Sequence, residues 1–418
     1  MNETIKQRID TVHRGEVPEG YKRSDAGVMP TDWMEIELGT IIEFYGEKSK
    51  KDNEYPVLTS ARSGLVLQTD YFDGQVTRED NTGYNIIPYG YVTYRSRSDD
   101  GRFTFNQNKI IEKGIVSCFY PVFRVIDTVA STDFVLCYLN NYLGKQIVKE
   151  IVGTSQLVLS EKKLSALSIP CPDFAEQQKI AEILSTCDRV IELKQQLLDE
   201  KRKQKQWLMQ MLLDPDSGIR LPGFEGSQWI ETPLSKLCRF LGGGTPDTSN
   251  EEYWNGTIPW ISSADLQDGN IHTIHATRYI TEEAVQNSAT KICPKDSILI
   301  VSRVGVGKIA IAPFTLCTSQ DFINLVDVKG NLYFITLQLQ REIQRILAMS
   351  QGTSIKGVAS KEIKAMVINL PTAKEQDAIA SVLECTDKEI SLYESELEAW
   401  QQKKKALMQL LLTGIMRV

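Results

Sequence analysis

"GTSQLVLSEKKLSALSIPCPDFAEQQKIAEILSTCDRVI", residues 153–191, recurs as "GTSIKGVASKEIKAMVINLPTAKEQDAIASVLECTDKEI", residues 352–390. The offset is a constant 199 residues and needs no gap. Gly153, Thr154 and Ser155 meet Gly352, Thr353 and Ser354, while Glu176, Gln177, Ile180, Leu184 and Asp188 meet Glu375, Gln376, Ile379, Leu383 and Asp387. The register holds to the end of the chain, where Leu208, Met209, Leu212 and Leu213 meet Leu407, Met408, Leu411 and Leu412. A fainter echo pairs "DWMEIELGTIIEF" from Asp32 with "QWIETPLSKLCRF" from Gln228, setting Trp33 against Trp229 and Leu38 against Leu234. Self-similarity on this scale marks a tandem duplication and governs the architecture.

Each copy opens a long amphipathic helix with a recognisable start. Asp173 and Thr372 stand as N-caps, with Glu176 and Glu375 three residues on, so each forms a capping box in which the glutamate reaches back to the cap. Apolar residues then recur at spacings of four and three. From Ile180 one line of the seam runs Leu184, Ile191, Leu198, Lys205 and Leu212; in the second copy it runs Leu383, Ile390, Leu397, Lys404 and Leu411. A period of 3.5 residues keeps a seam turned towards a partner helix, so the two copies are expected to pair as a coiled coil. Lysine at matched seam positions weakens it locally or marks where it opens to another protein. Proline in "DPDSG" and Gly414 end the two helices. About 38 residues at 1.5 Å rise give roughly 57 Å, one to two turns of duplex DNA.

Composition narrows the rest. With 418 residues and 42% hydrophobic content, the chain has material for two or three domains with real cores. No apolar run approaches the ~20 residues that span a bilayer, and "MNETIKQRID" lacks the apolar segment of a signal peptide, so a cytoplasmic location is expected. Eight cysteines are scattered singly beside three histidines, which reads as reduced thiols and no metal site. A net charge of −7 weighs against nucleic acid, although a two-lobed protein can keep a basic cleft within an acidic total.

Between the helices the pattern turns to short strands. "GYVTYRSRSDDGRFTF" from Gly90 alternates like a hairpin around a charged turn, "GIVSCFYPVFRVI" from Gly114 is strand-rich, and "DSILIVSRVGVGKIAIA" from Asp296 reads as two buried strands joined by a glycine turn. Three catalytic motifs fail on inspection. In "GVGKI", Ile309 stands where a phosphate loop needs Ser or Thr, and Ser302 replaces the leading glycine. "PDFAEQQK" has a metal-nuclease look, but Glu176 and Lys179 lie on the first turns of a helix. "GGGTP", residues 242–246, opens no βαβ unit.

With the layout domain, helix, domain, helix established, the chain resembles the specificity (S) subunit of type I restriction-modification systems over nearly its whole length. "GGGTPDTSNEEYWNGTIPWISSADL", "YITEEAV" and "ILIVSRVGVGKIAI" resemble the family's target-recognition domain. "GYVTYRSRSDDGRF" with "GIVSCFYPVFRV" resembles another variant, and "EQQKIAEIL" and "EQDAIASVL" its conserved helical regions. The fold class is then α+β: two mixed α/β target-recognition domains joined by two long antiparallel helices forming a coiled coil, in a pseudo-two-fold tandem repeat. The expected boundaries are 1–172, 173–214, 215–371 and 372–418.

The resemblance implies a non-catalytic chain in which each domain reads one half of a bipartite, asymmetric site in double-stranded DNA. The helices would set the unread spacer and dock two modification (methyltransferase) subunits, with restriction (translocase/nuclease) subunits joining the complex. S-adenosylmethionine, ATP and magnesium would belong to those partners; the chain itself needs no cofactor. Candidate DNA-contacting residues are polar or cationic side chains at turns: Arg95, Arg97, Arg102 and Asn106 in the first domain, and Thr245, Ser263, Arg303, Lys308 and Gln320 in the second. Guanidinium suits guanine or phosphate, and carboxamide suits adenine. A stand-alone DNA-binding regulator, or a coiled-coil adaptor that touches no nucleic acid, are the other readings. Co-purification with a methyltransferase separates the first, and salt-sensitive retention of duplex the second. The N-terminal 30 residues have no clear counterpart after Leu213 beyond "LPGFEGSQW" answering "GVMPTDW"; packing beside the last helix would close the two-fold pattern.

Overall fold

The computed structural model describes residues 3–61, 64–71, 80–150, 157–349 and 358–418, so the repeated Gly153–Ser155 and Gly352–Ser354 lie outside the described residues. The chain divides into two compact units, Met1–Gln195 with Glu396–Val418, and Gln196–Ser395. The long helices run Phe174–Leu212 and Ala373–Leu412, and each unit takes the opening half of one and the closing half of the other.

In the first unit the central sheet is built from β1 (Ile42–Phe44), β2 (Val92–Tyr94), β3 (Phe105–Gln107) and β4 (Val122–Val125), in the order β1–β4–β2–β3 with every pair antiparallel. Its apolar face, with Val92, Tyr94, Phe105 and Phe123, packs in one core with Phe134 and Tyr138 of the helix Thr132–Glu150. Ile180, Ala181 and Leu184 join the same core from the opening turns of the first long helix, and Leu411 and Leu412 from the closing turns of the second. Within this unit the helix segments run antiparallel: Lys194 pairs with Glu396 at 2.8 Å, and Asp188 with Lys404.

The second unit contains β5 (Arg239–Gly242), β6 (Ile258–Ile261), β7 (Arg278–Ile280), β8 (Ile292–Cys293), β9 (Ile298–Val301), β10 (Ile309–Ile311), β11 (Leu316–Thr318) and β12 (Phe322–Val326). One sheet has the order β5–β12–β9–β10, all antiparallel, which repeats the strand order of the first unit. The other is β7–β6–β11–β8, in which β6 and β11 are parallel. As the sequence indicates, β9 and β10 are two buried strands joined by a glycine turn, and β2 and β3 pair across the charged segment. Leu212 and Leu213 meet Ile379, Ala380 and Leu383 in this unit's core. The antiparallel pairing recurs, with Lys201 on Glu389 at 2.9 Å, Arg202 on Glu394 at 2.6 Å, and Lys205 on Asp387.

Of the expected seam residues, Leu184, Leu198, Leu212, Leu383, Leu397 and Leu411 are buried, and Ile191 and Ile390 half-buried. The seam lysines Lys205 and Lys404 are also explained, together with Lys194 and Lys201 on the same helix as Lys205. Lys194, Lys201, Lys205 and Lys404 each extend a half-buried stem to an acid on the facing helix segment.

One local expectation is corrected. Asp173 and Thr372 do cap, accepting from the backbone N–H of Glu176 at 2.9 Å and of Glu375 at 3.4 Å, but neither glutamate reaches back. The buried Glu176 carboxylate instead accepts from Trp33 Nε1 at 3.1 Å and from Arg417 at 2.7 and 2.8 Å. Glu375 accepts from Trp229 Nε1 at 3.3 Å with Arg220 at 3.8 Å. A buried carboxylate needs charged and indole donors more than the first turn needs a second cap.

These contacts also account for the N-terminal extension. Arg417 grips Asp32 at 2.9 and 3.0 Å, Tyr21 donates to the Gly414 carbonyl at 2.7 Å, and Arg8 to that of Ile415 at 3.1 Å. Arg220 and Arg417, each following a long helix, lie over Trp229 and Trp33 at 5.1 and 5.7 Å. The linker in one unit and the two chain ends in the other thus make the same Trp–Glu–Arg closure.

Candidate nucleic-acid interface

Strand order gathers the candidate residues of the second unit. Because β5, β12, β9 and β10 alternate in direction, the end of β5, the start of β12, the end of β9 and the start of β10 share one edge of the sheet. The parallel strands β6 and β11 finish at Ile261 and Thr318, and Ser319–Asp321 carries the chain straight from β11 into β12. Four connections therefore meet there: residues 243–247, 262–266, 302–308 and 319–321.

Their side chains interlock. Thr245 Oγ1 donates to Gln320 Oε1, and Ser302 donates through N and Oγ to the Asp321 carbonyl at 2.8 and 3.0 Å. A Cβ on Gly305 would stand 3.6 Å from that of Ser263. The glycines of "GGGTP" are required by close backbone approach: a Cβ on Gly243 would lie 1.9 Å from the Ser319 carbonyl oxygen, and one on Gly244 2.3 Å from Thr290 N.

Thr245, Ser263, Arg303, Lys308 and Gln320 are thus brought together, but in different states. Arg303 and Gln320 are exposed. Lys308 is half-buried, and its ammonium donates to the carbonyls of Ser263 at 3.0 Å and Leu266 at 2.8 Å, so it braces the Ser263 turn from behind.

In the first unit the matching edge carries the β2–β3 connection, residues 95–104. Arg95, Arg97 and Arg102 are exposed and line a shallow cavity of about 290 Å³ with Ser60, Ala61 and Asp99. Asp100 shapes the turn by accepting from Ser98 Oγ at 3.0 Å and Arg102 N at 3.1 Å. Arg97 stacks over Phe119 at 4.7 Å. Asn106 is less available: its Nδ2 donates to Ser60 Oγ and the Ala61 carbonyl, both at 2.8 Å. The 95–104 and 302–308 connections occupy the same place in the shared strand order, with unrelated sequences.

One residue of the second unit was missed. Arg278, the first residue of β7, lies opposite Trp260, its guanidinium 4.3 Å from that indole and 5.8 Å from Trp254. A cation between two tryptophans in "EEYWNGTIPWI" and "TRYI" was visible only as residue types; the strand register joins them.

Among the described residues no group of three or more His, Cys, Asp or Glu could hold a metal ion, and no helix is long and apolar enough to cross a membrane. Burial pushes the Cys293 thiol up to about 12 and the Cys171 thiol to about 11, away from nucleophilic use. A larger cavity of about 780 Å³ in the second unit lies between the 267–273 loop and the helices, where Arg202, Lys205, Glu384 and Asp387 set opposite charges against each other.

Residues 30–200 and 226–399 each match the family described as "Type I restriction modification DNA specificity domain". A relative from Methanocaldococcus jannaschii, provisionally named the MjaX type I restriction enzyme specificity subunit, is 26% identical over 424 residues, covering 96% of this chain and 97% of that protein. The EcoR124I/EcoR124II specificity subunit of Escherichia coli is 31% identical over 244 residues, covering 54% of this chain and 56% of that one. Among solved structures, the type I restriction-modification S subunit from M. genitalium shares the fold with a TM-score of 0.55 at 16% identity, covering 91% of this chain and 96% of that one.

Proposed function

Since the chain belongs to the type I restriction modification DNA specificity family, whose domain it carries twice, we propose that it directs a type I restriction-modification enzyme to its DNA target. Each target-recognition domain reads one half of a bipartite, asymmetric site in double-stranded DNA. The two long helices, paired as an antiparallel coiled coil through Leu184, Ile191, Leu198, Leu212, Leu383, Ile390, Leu397 and Leu411, keep the unread spacer constant. They also dock two modification subunits, through which restriction subunits join. The chain performs no chemistry and works in the cytoplasm; S-adenosylmethionine, ATP and magnesium are held by its partners.

The observation that carries this reading is one strand order ending, in each unit, in a differently written loop set. A common scaffold with divergent loops suits two different half-sites, as a pseudo-symmetric protein suits a pseudo-symmetric duplex. Arg95, Arg97 and Arg102 serve the first half-site, with Asn106 fixing the hairpin beside them. Thr245, Ser263, Arg303 and Gln320 serve the second, with Lys308 positioning Ser263. Four arginines, three on loops and Arg97 in the short strand Arg97–Ser98, provide cationic contacts despite the net charge of −7.

The test is selection from a pool of randomised duplexes by the chain assembled with its modification subunits. Two short motifs at one fixed separation are expected. Enrichment of a single motif, or of none, overturns the proposal.

A further inference from the structure

We propose that Arg278 is a phosphate anchor, fixing the second domain on the flank of its half-site; this rests on the DNA-reading function proposed above. The geometry prepares the side chain for such a contact. Trp254 and Trp260 stand edge to face with centroids 5.1 Å apart, and both indoles are tied to the Thr245 loop, Trp260 Nε1 donating to the Gly244 carbonyl at 2.9 Å and Trp254 Nε1 to that of Asp247 at 3.1 Å. The rings cannot turn away without breaking those bonds, so the guanidinium lying over them is held before any ligand arrives. Among the described residues no carboxylate forms an ion pair with Arg278, and the residue is exposed. A guanidinium stacked on its face keeps its in-plane N–H donors for two oxygens of one phosphate.

Position favours phosphate over a base. Thr277 donates to Asp265 Oδ1 at 2.8 Å, and the other oxygen of that carboxylate holds Ser262, so Arg278 adjoins the turn that presents Ser263. Yet β7 is an edge strand of its sheet, outside the group formed by Thr245, Ser263, Arg303 and Gln320. Contacts at the rim of a reading surface fall on the sugar-phosphate backbone, which sets orientation without selecting sequence.

The experiment uses the full chain with its modification subunits and measures fluorescence anisotropy over a range of salt, on a target duplex and on a scrambled one. Arg278→Ala should weaken both equally, about eightfold at 0.1 M salt and progressively less towards 1 M, because one phosphate contact contributes about 0.9 to the logarithmic salt slope. Arg278→Lys should keep most of the slope. A loss confined to the target duplex would make Arg278 a base reader, and an unchanged slope with a lowered Tm would make it only a packing residue; either overturns the proposal. Preference of the unsubstituted complex for its target tests the underlying function separately, since that preference survives whether or not Arg278 touches phosphate.

Discussion

Lys308 and Arg303 stand on one turn, five residues apart, and should fail in opposite ways. Lys308→Met keeps the aliphatic stem but removes two charge-assisted hydrogen bonds, to Ser263 and Leu266. Bonds to charged groups contribute about 1.5 to 3 kcal/mol each when well shielded, and this ammonium is only half-buried, so the pair should contribute about 2 to 3 kcal/mol in all. For a unit of this size that corresponds to a Tm lowered by roughly 5 to 10 °C in calorimetry. Arg303→Met, at an exposed position, should change folding stability by no more than the roughly 0.5 kcal/mol typical of surface changes, about 1 to 2 °C in Tm, while weakening target binding by about 1 to 3 kcal/mol in anisotropy titrations. The two assays should therefore rank the variants in opposite order. An unaltered Tm for Lys308→Met, combined with a salt slope reduced as much as by Arg303→Met, would refute the assignment and place the ammonium on DNA.

Other consequences can be checked on the same protein. Arg417→Met strands the buried Glu176 carboxylate with only the Trp33 N–H; because Arg417 is 37% exposed, the loss should fall below that of a fully buried pair, at about 2 kcal/mol. A double-mutant cycle with Glu176→Gln in urea should give coupling above about 1 kcal/mol, and additivity would contradict the closure. Burial opposes ionisation of Asp387, but hydrogen bonds from His272, Lys205 and Tyr333 prevail and hold its pKa down to about 2. Its folded pKa lies below the unfolded one, so the stabilisation is complete above the ordinary carboxylate range and is lost as pH falls towards 2. Asp387→Asn should cost about 2 kcal/mol near neutrality and flatten the acid limb of the stability profile, whereas an unchanged limb would contradict this. Leu383→Ala, in a core position, should cost about 2 to 5 kcal/mol by chemical denaturation, and a cost near zero would place it outside the core.

What the sequence revealed followed its periodicities. The long helices, their starts and their stops were legible because helix period and caps are local, as were the strands around Gly90, from alternation, and around Asp296, from short apolar runs broken by a glycine turn. The seam lysines were not: Lys205 is explained by Asp387 and Lys404 by Asp188, partners that spacing along one helix cannot supply. For the same reason the capping boxes were half right, since the competing donors of Glu176 come from Trp33 and Arg417. At the candidate interface, residue type nominated Asn106 and Lys308, and local geometry commits their donors to the fold. Arg278 passed unnoticed because the site around it joins β6, β7 and the Asn250–Asn255 turn.

The most direct measurement is single-molecule sequencing of cellular DNA for methylated adenine, with the gene for this chain intact, deleted, and carrying a substituted first target-recognition domain. One split motif, two short halves around a fixed gap, is expected to vanish on deletion and to change in a single half on substitution. Methylation indifferent to the deletion, or a substitution that alters both halves together, would contradict that expectation.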